Sequence, residues 1–230
     1  MSFLRKILGG GGHGRGGRPG TGGYLSPEQR LVRLLPAPKG EARFLVEWAR
    51  ELVGTGEVVW DVGAGTGLFS LASAIRAGAN GVVVAVEAKP ARAEAIRRAA
   101  EVLGAPDARL EVVEAEVTEV SEEARGRPPA RGRKGGAARR LTLDELAAGR
   151  KRPTLLRLAV GRRLGLVVEG ALGVLAAARP VLLFDVPSHL ADPVGFRLHG
   201  LRYEFFDATC NPSDRLKLER PAERTLAVPR

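Results

Sequence analysis

An α/β chain with a doubly wound, mostly parallel sheet is what the order of apolar segments predicts. Three observations carry this. VVWDVGAGTGLFS at 58–70 is a strand that turns through glycines into a helix. Strand-like and helix-like segments then alternate as far as residue 186, and the last thirty-odd residues read as an antiparallel hairpin at the sheet edge.

The elements follow in order. SPEQRLVRLL offers Ser26 as an N-cap with a Glu close behind, so a short helix is expected there. EARFLVEWARELV, from Glu41, spaces Phe44, Leu45, Trp48 and Leu52 as one helical stripe, expected to pack beside the first strand. That strand spans 57–63, its helix 67–78, and the second strand 81–87. A helix opens at Pro90 and ends at Gly104, the proline-in, glycine-out asymmetry of helix ends. LEVVEAEVT, from Leu110, reads as a third strand, LTLDELAAG as a short helix, and TLLRLAV, from Thr154, as a fourth strand. One helix is expected over LGLVVEGALGVLAAA, closed by Arg179-Pro180. PVLLFDV is apolar enough for a central buried strand. FRLHGLRYEFFDATC and LKLERPAERTLAVP alternate as an edge pair would.

Composition bounds the rest. The 230 residues suit one domain, and 44% hydrophobic residues suffice for its core. The expected organisation is a disordered Gly/Arg-rich tail at 1–25 and an enzyme-like domain at 26–230 with a flexible basic insert at 124–140. Residues 1–40 carry +6 and residues 124–140 carry +7, so against a total of +10 the remainder stands at about −3. ARGRPPARGRKGGAARR contains an Arg-Gly-Arg-Pro tetrad like those that enter a minor groove, which invites a nucleic-acid or anionic-surface partner. No aromatics interleave these charges, however, so a solvated loop is the favoured reading. No apolar run approaches the ~20 residues of a membrane span. MSFLRKIL lacks a signal-peptide core, and Cys210 is the only cysteine, so a reducing cytoplasm is the expected compartment. His13, His189 and His199 are scattered, and no metal is expected.

The strand–turn–helix at 58–78 carries the chemistry. Small residues there bring backbone N–H groups and a positive helix end up to a ligand. Twenty residues past Gly67, the second strand ends in Glu87, placed to meet the hydroxyls of a ribose in a Rossmann-like cleft. A dinucleotide fingerprint would need a small residue at 68, where Leu68 stands. The Asp-x-Gly-x-Gly-x-Gly pattern at 61–67 instead resembles motif I of the class I S-adenosylmethionine-dependent methyltransferases. That resemblance implies S-adenosylmethionine as cofactor. It puts Asp61 at the methionine end, with Gly63, Ala64, Gly65 and Gly67 lining the cofactor and Glu87 on its ribose. Glu116, in VVEAEVT, falls where related enzymes hold the adenine amino group, or is a solvent-facing acid at a strand end.

Beyond residue 140 the order of pieces resembles the FkbM family of methyltransferases. The shared pieces are LTLDEL at 141–146, Gly170-Ala171, Arg179-Pro180, VLLFDV ending near Asp185, HGLRYEFFD, and LAVP near residue 228. The resemblance covers residues 41–229 without the insert and implies O-methylation of a small metabolite, sugar or lipid-linked acceptor. The chain departs from that family after its fourth strand. Aligned on LLRLAVGRRL, the family's Lys-x-Asp-Val-Glu-Gly-x-Glu becomes Arg157, Ala159, Gly161, Arg162 and Leu164, with every acid gone. Either other residues do the chemistry, or the acceptor differs (RNA gripped by the basic segments, for instance), or the chain binds the cofactor without catalysis. Replacement catalytic candidates are Asp185, at the end of the fifth strand, and His189 in the following loop. Tyr203, Phe205 and Phe206 read as core aromatics or as a pocket wall.

Overall fold

A computed structural model describes residues 31, 33, 41–103, 108–121 and 138–230. The expected tail at 1–25, the Ser26 cap, His13 and most of the basic insert lie outside the described residues.

Among the described residues nine strands form one sheet: β1 (Val58–Val62), β2 (Val82–Glu87), β3 (Arg109–Val117), β4 (Arg139–Leu141), β5 (Leu155–Leu158), β6 (Val181–Asp185), β7 (Tyr203–Asp207), β8 (Lys217–Leu218) and β9 (Arg224–Pro229). The spatial order is β4-β3-β2-β1-β5-β6-β9-β7-β8. Pairing is parallel from β4 through β6 and antiparallel through β9, β7 and β8. This is the expected doubly wound sheet with a closing antiparallel section. Strands β1, β2, β5 and β6 are buried on both faces, and this is why their sequences run almost without polar interruption.

Helices α1 (Glu41–Leu52), α2 (Leu68–Ala77) and α3 (Pro90–Val102) cover one face of the sheet. The stripe on α1 buries Leu45, Trp48 and Leu52, and Trp48 Nε1 donates to the Ala208 carbonyl at 3.2 Å. The partner of α1 is chiefly α2 rather than the first strand. Helix α2 is consequently buried almost all round, from Leu68 through Ala74. Full burial of one such leucine contributes about 1.5–3 kcal/mol. On the other face lie α4 (Leu143–Leu146), α5 (Leu164–Glu169), α6 (Leu172–Ala178) and α7 (Ala191–Gly200).

Three local outcomes differ from the sequence expectation. The helix expected from Leu164 is two helices, broken at Gly170-Ala171. A Cβ on Gly170 would lie 2.3 Å from the Thr118 carbonyl oxygen, so the chain passes backbone to backbone there. Asp144 then caps α6 from outside, accepting from Gly173 N at 3.0 Å and Val174 N at 2.6 Å. Second, Phe196–Gly200 is helical, not an edge strand, and places His199 in α7, its Nε2 3.0 Å from the Glu219 carbonyl oxygen and its ring edge-on to Phe205. Third, Arg139 and Arg140, assigned to the flexible insert, belong to β4 and pair alongside β3. Tyr203, Phe205 and Phe206 are buried, and Tyr203 Oη donates to the Pro180 carbonyl at 3.0 Å.

Candidate functional site

The loop from β1 to α2 is bent by three glycines in the left-handed region, each for its own reason. Gly63 has φ +80°, and a Cβ there would lie 2.3 Å from the Ala159 carbonyl oxygen. The glycine lets β1 stay paired with β5, where Ala159 N donates to Val62 O at 2.8 Å. Gly63 N and Ala64 N both donate to Val86 O, at 2.9 and 3.1 Å, which folds the loop across the end of β2. Gly67 has φ +81°, and a Cβ would press on Ile96 of α3 at 2.6 Å. Gly65, at φ +62°, meets nothing closer than 3.9 Å. Two of the glycines therefore serve packing, and the third faces open space.

Glu87 closes the other side. Its Oε2 accepts from Gly65 N at 2.9 Å and its Oε1 from Lys89 N at 2.9 Å. The residue is only 5% exposed. Two backbone N–H groups thus fix the carboxylate plane and leave each oxygen a lone pair for further donors. The structure joins Gly65 and Glu87 directly.

Asp61 is placed differently from its expected ligand-facing position. It is fully buried, accepting from Ser70 Oγ at 2.5 Å and from Arg157 Nη1 at 2.7 Å. The Arg157 guanidinium also lies 5.3 Å from the centre of the Phe69 ring. This partner was missed in the sequence. The available signal was a lone charge inside LLRL, a strand buried throughout, since a charge that deep requires a counter-charge. Two charge pairs share one face of the sheet: Asp61 on β1 lies opposite Arg157 on β5, and Asp185 on β6, two residues beyond the Leu183 that faces Arg157, lies opposite Arg224 on β9. Arg224 Nε is 3.6 Å from Asp185 Oδ1, and its guanidinium lies 4.9 Å from the Phe44 ring centre and 5.5 Å from that of Trp48.

Asp185 stands at the strand ends with its side chain 54% exposed. The protein crowding round it pushes its carboxyl above the ordinary aspartate value, while Arg224 and Arg157 pull the other way. His189 lies in the single turn Ser188–Leu190, exposed, and no hydrogen bond joins it to Asp185 among the described residues. Glu116 is tied up by two arginines. Arg140 Nε donates to its Oε2 at 2.7 Å, and Arg163 donates to its Oε1 and to the Val117 carbonyl. Glu116 thus links β3, β4 and the turn after β5.

Comparison with known proteins supplies the class. The chain is similar to FkbM methyltransferase from Methylobacillus flagellatus KT, at 12% identity and TM-score 0.53, covering 88% of this chain and 58% of that one. It is also similar to an S-adenosylmethionine-dependent O-methyltransferase from Thermotoga maritima (14% identity, TM-score 0.50, 89% of this chain, 71% of that one). A third likeness is to an S-adenosylmethionine-dependent methyltransferase from Aquifex aeolicus (14% identity, TM-score 0.50, 89% of this chain, 98% of that one). At these identities the likenesses establish the fold, that of the class I methyltransferases. No curated protein matches. Among the described residues no helix is long and apolar enough to cross a membrane. The model of one family, the precorrin methyltransferase domain, matches residues 45–162, half of the chain, from within α1 into the turn after β5. By that match the chain belongs to the precorrin methyltransferase domain family and is an S-adenosylmethionine-dependent methyltransferase.

Proposed function

We propose that this methyltransferase works on a hydroxyl oxygen of a small metabolite, sugar or lipid-linked acceptor, within a single domain over residues 26–230. The supporting observation is the pairing of Gly65 with Glu87 beneath open space, with the Asp185 carboxyl at the same strand ends. These residues fit an adenosine-bearing cofactor. Gly63, Ala64, Gly65 and Gly67 form its bed, Glu87 takes the ribose hydroxyls on its remaining lone pairs, and Glu116, held by Arg140 and Arg163, borders the adenine through that pair of arginines. Asp61 acts through Arg157, because it is fully buried and is bonded to the Arg157 Nη1. When bound, S-adenosylmethionine supplies an electrophilic methyl group on sulfur.

The chain's own share of the chemistry is to orient the acceptor and remove its proton. Asp185 receives the hydroxyl proton. Its raised pKa makes it a better base than an ordinary aspartate, and Arg224 holds it in place. His189, on the next turn, borders the acceptor.

Glu87→Ala is expected to weaken cofactor binding by about 1–3 kcal/mol, read by isothermal titration, because a charge-assisted contact is lost; unchanged affinity would move the site elsewhere. Asp185→Asn is expected to lower kcat by about 10²–10⁴-fold. Because its folded pKa is raised, the wild-type rate should climb with pH through a midpoint above the usual aspartate range. That limb should vanish in Asp185→Asn and persist in His189→Ala. The reaction class is tested with cofactor carrying a ¹³C methyl group, incubated with cell extract with or without ribonuclease. A methoxy signal insensitive to ribonuclease supports the proposal. Label on carbon or nitrogen, label lost to ribonuclease, or no label at all overturns it.

A further inference from the structure

Arg157 is more deeply placed and less satisfied than a structural ion pair requires. Its side chain is 9% exposed, yet only Nη1 is engaged, on Asp61 Oδ1 at 2.7 Å. Nε and Nη2 donate to none of the described residues, and, unlike Trp60 Nε1, they are not sealed from solvent. A guanidinium is a rigid fork of donors that matches a carboxylate. The two open nitrogens reach solvent, so an incoming anion can take the place of water on them.

A second positive source adjoins it. Helix α2 has ten residues, no side chain caps it, and no acid occupies its first turn. Its N-cap, Gly67, belongs to the loop, and its second residue, Phe69, supplies the ring beside the Arg157 guanidinium. The helix end and the arginine therefore favour negative charge at one place. Asp61 answers Nη1 and the Ser70 hydroxyl and makes no bond to Nε or Nη2.

We propose that Arg157 is a carboxylate clamp, its Nε and Nη2 receiving the α-carboxylate at the amino-acid end of S-adenosylmethionine beside the first turn of α2. This rests on the cofactor placement given under Proposed function. An acceptor's carboxylate is the other source of the same chemistry. The cofactor is favoured because Arg157 lies opposite Asp61 on the β1–β5 seam, two residues before Gly63 in register, whereas Asp185 is one strand further along on β6 and His189 in the turn after it. The clamp also gives a reason for an arginine where the acid-bearing family segment begins. Asp61 becomes the positioning residue, fixing Nη1 so that the other two nitrogens face the ligand.

The test is isothermal titration of the full chain with S-adenosylmethionine and with its decarboxylated form, so that the readout is affinity alone. Decarboxylation is expected to weaken binding by about 10- to 100-fold. In the double variant Asp61→Asn/Arg157→Met, which leaves no orphan charge, the two ligands should bind within about threefold of each other. Equal wild-type affinities overturn the clamp while leaving the cofactor placement intact. Full discrimination retained by the double variant overturns it too, by locating the carboxylate elsewhere. If neither ligand binds the wild type, the clamp and the cofactor reading fall together.

Discussion

Arg157→Met should cost this protein about 3–5 kcal/mol of unfolding free energy, because it strands the Asp61 carboxylate, fully buried at the end of β1, without its counter-charge. Ser70 alone would then face it, and one hydroxyl donor cannot replace the solvation that a carboxylate loses on burial. The same substitution removes the cation over the Phe69 ring. Adding Asp61→Asn should recover most of the loss. An asparagine still accepts from Ser70 and brings no charge into the interior. Urea unfolding of the wild type, both single variants and the double variant closes the cycle. A coupling near zero would mean that the pair contributes nothing to stability and that Asp61 finds other support.

Gly63→Ala should be the most damaging change in the loop, at about 2–5 kcal/mol, and should abolish cofactor binding. The left-handed backbone alone costs a residue with a Cβ about 1–2 kcal/mol. The added carbon would also sit 2.3 Å from the Ala159 carbonyl oxygen, and backbone cannot rotate away as a side chain can. To relieve the clash β1 and β5 must part, which moves Asp61 and Arg157 with them. Gly65→Ala is the contrasting case. It carries the same backbone penalty with open space around the new methyl, so stability should fall by only about 1–2 kcal/mol. Thermal unfolding with calorimetry ranks the two, and equal losses would show that strain at φ, rather than the approach of β5, governs Gly63.

Much of this was legible in one dimension. The β1–loop–β2 unit is local, and its glycines and Glu87 announce themselves by spacing, although the direct bond from Gly65 N to Glu87 was not among the expectations. The parallel sheet followed from apolar strands alternating with helices. What escaped depended on register between distant strands. Asp61 and Arg157 are 96 positions apart, and only the β1–β5 pairing puts them face to face. Phe196–Gly200 was misread because five residues of alternating polarity do not separate a strand from one side of a helix. Asp192 and Pro193 just upstream, an acid and a proline in a first turn, were the better signal. The break at Gly170 was invisible for another reason: its cause, the Thr118 carbonyl, lies on a different strand.

The short β4 has a wider consequence. The chain leaves the sheet after Val117 and returns at Arg139, which pairs alongside Ala115, with Arg140 fastened to Glu116. Departure and re-entry are neighbours on the same outer edge. Whatever length or composition intervenes, the spacing of the other strands is untouched, since closing a longer excursion adds only a slowly growing entropic toll. Positions 121 and 138 thus bracket a graft point, where an engineer can lengthen or exchange the chain without renegotiating the scaffold beneath.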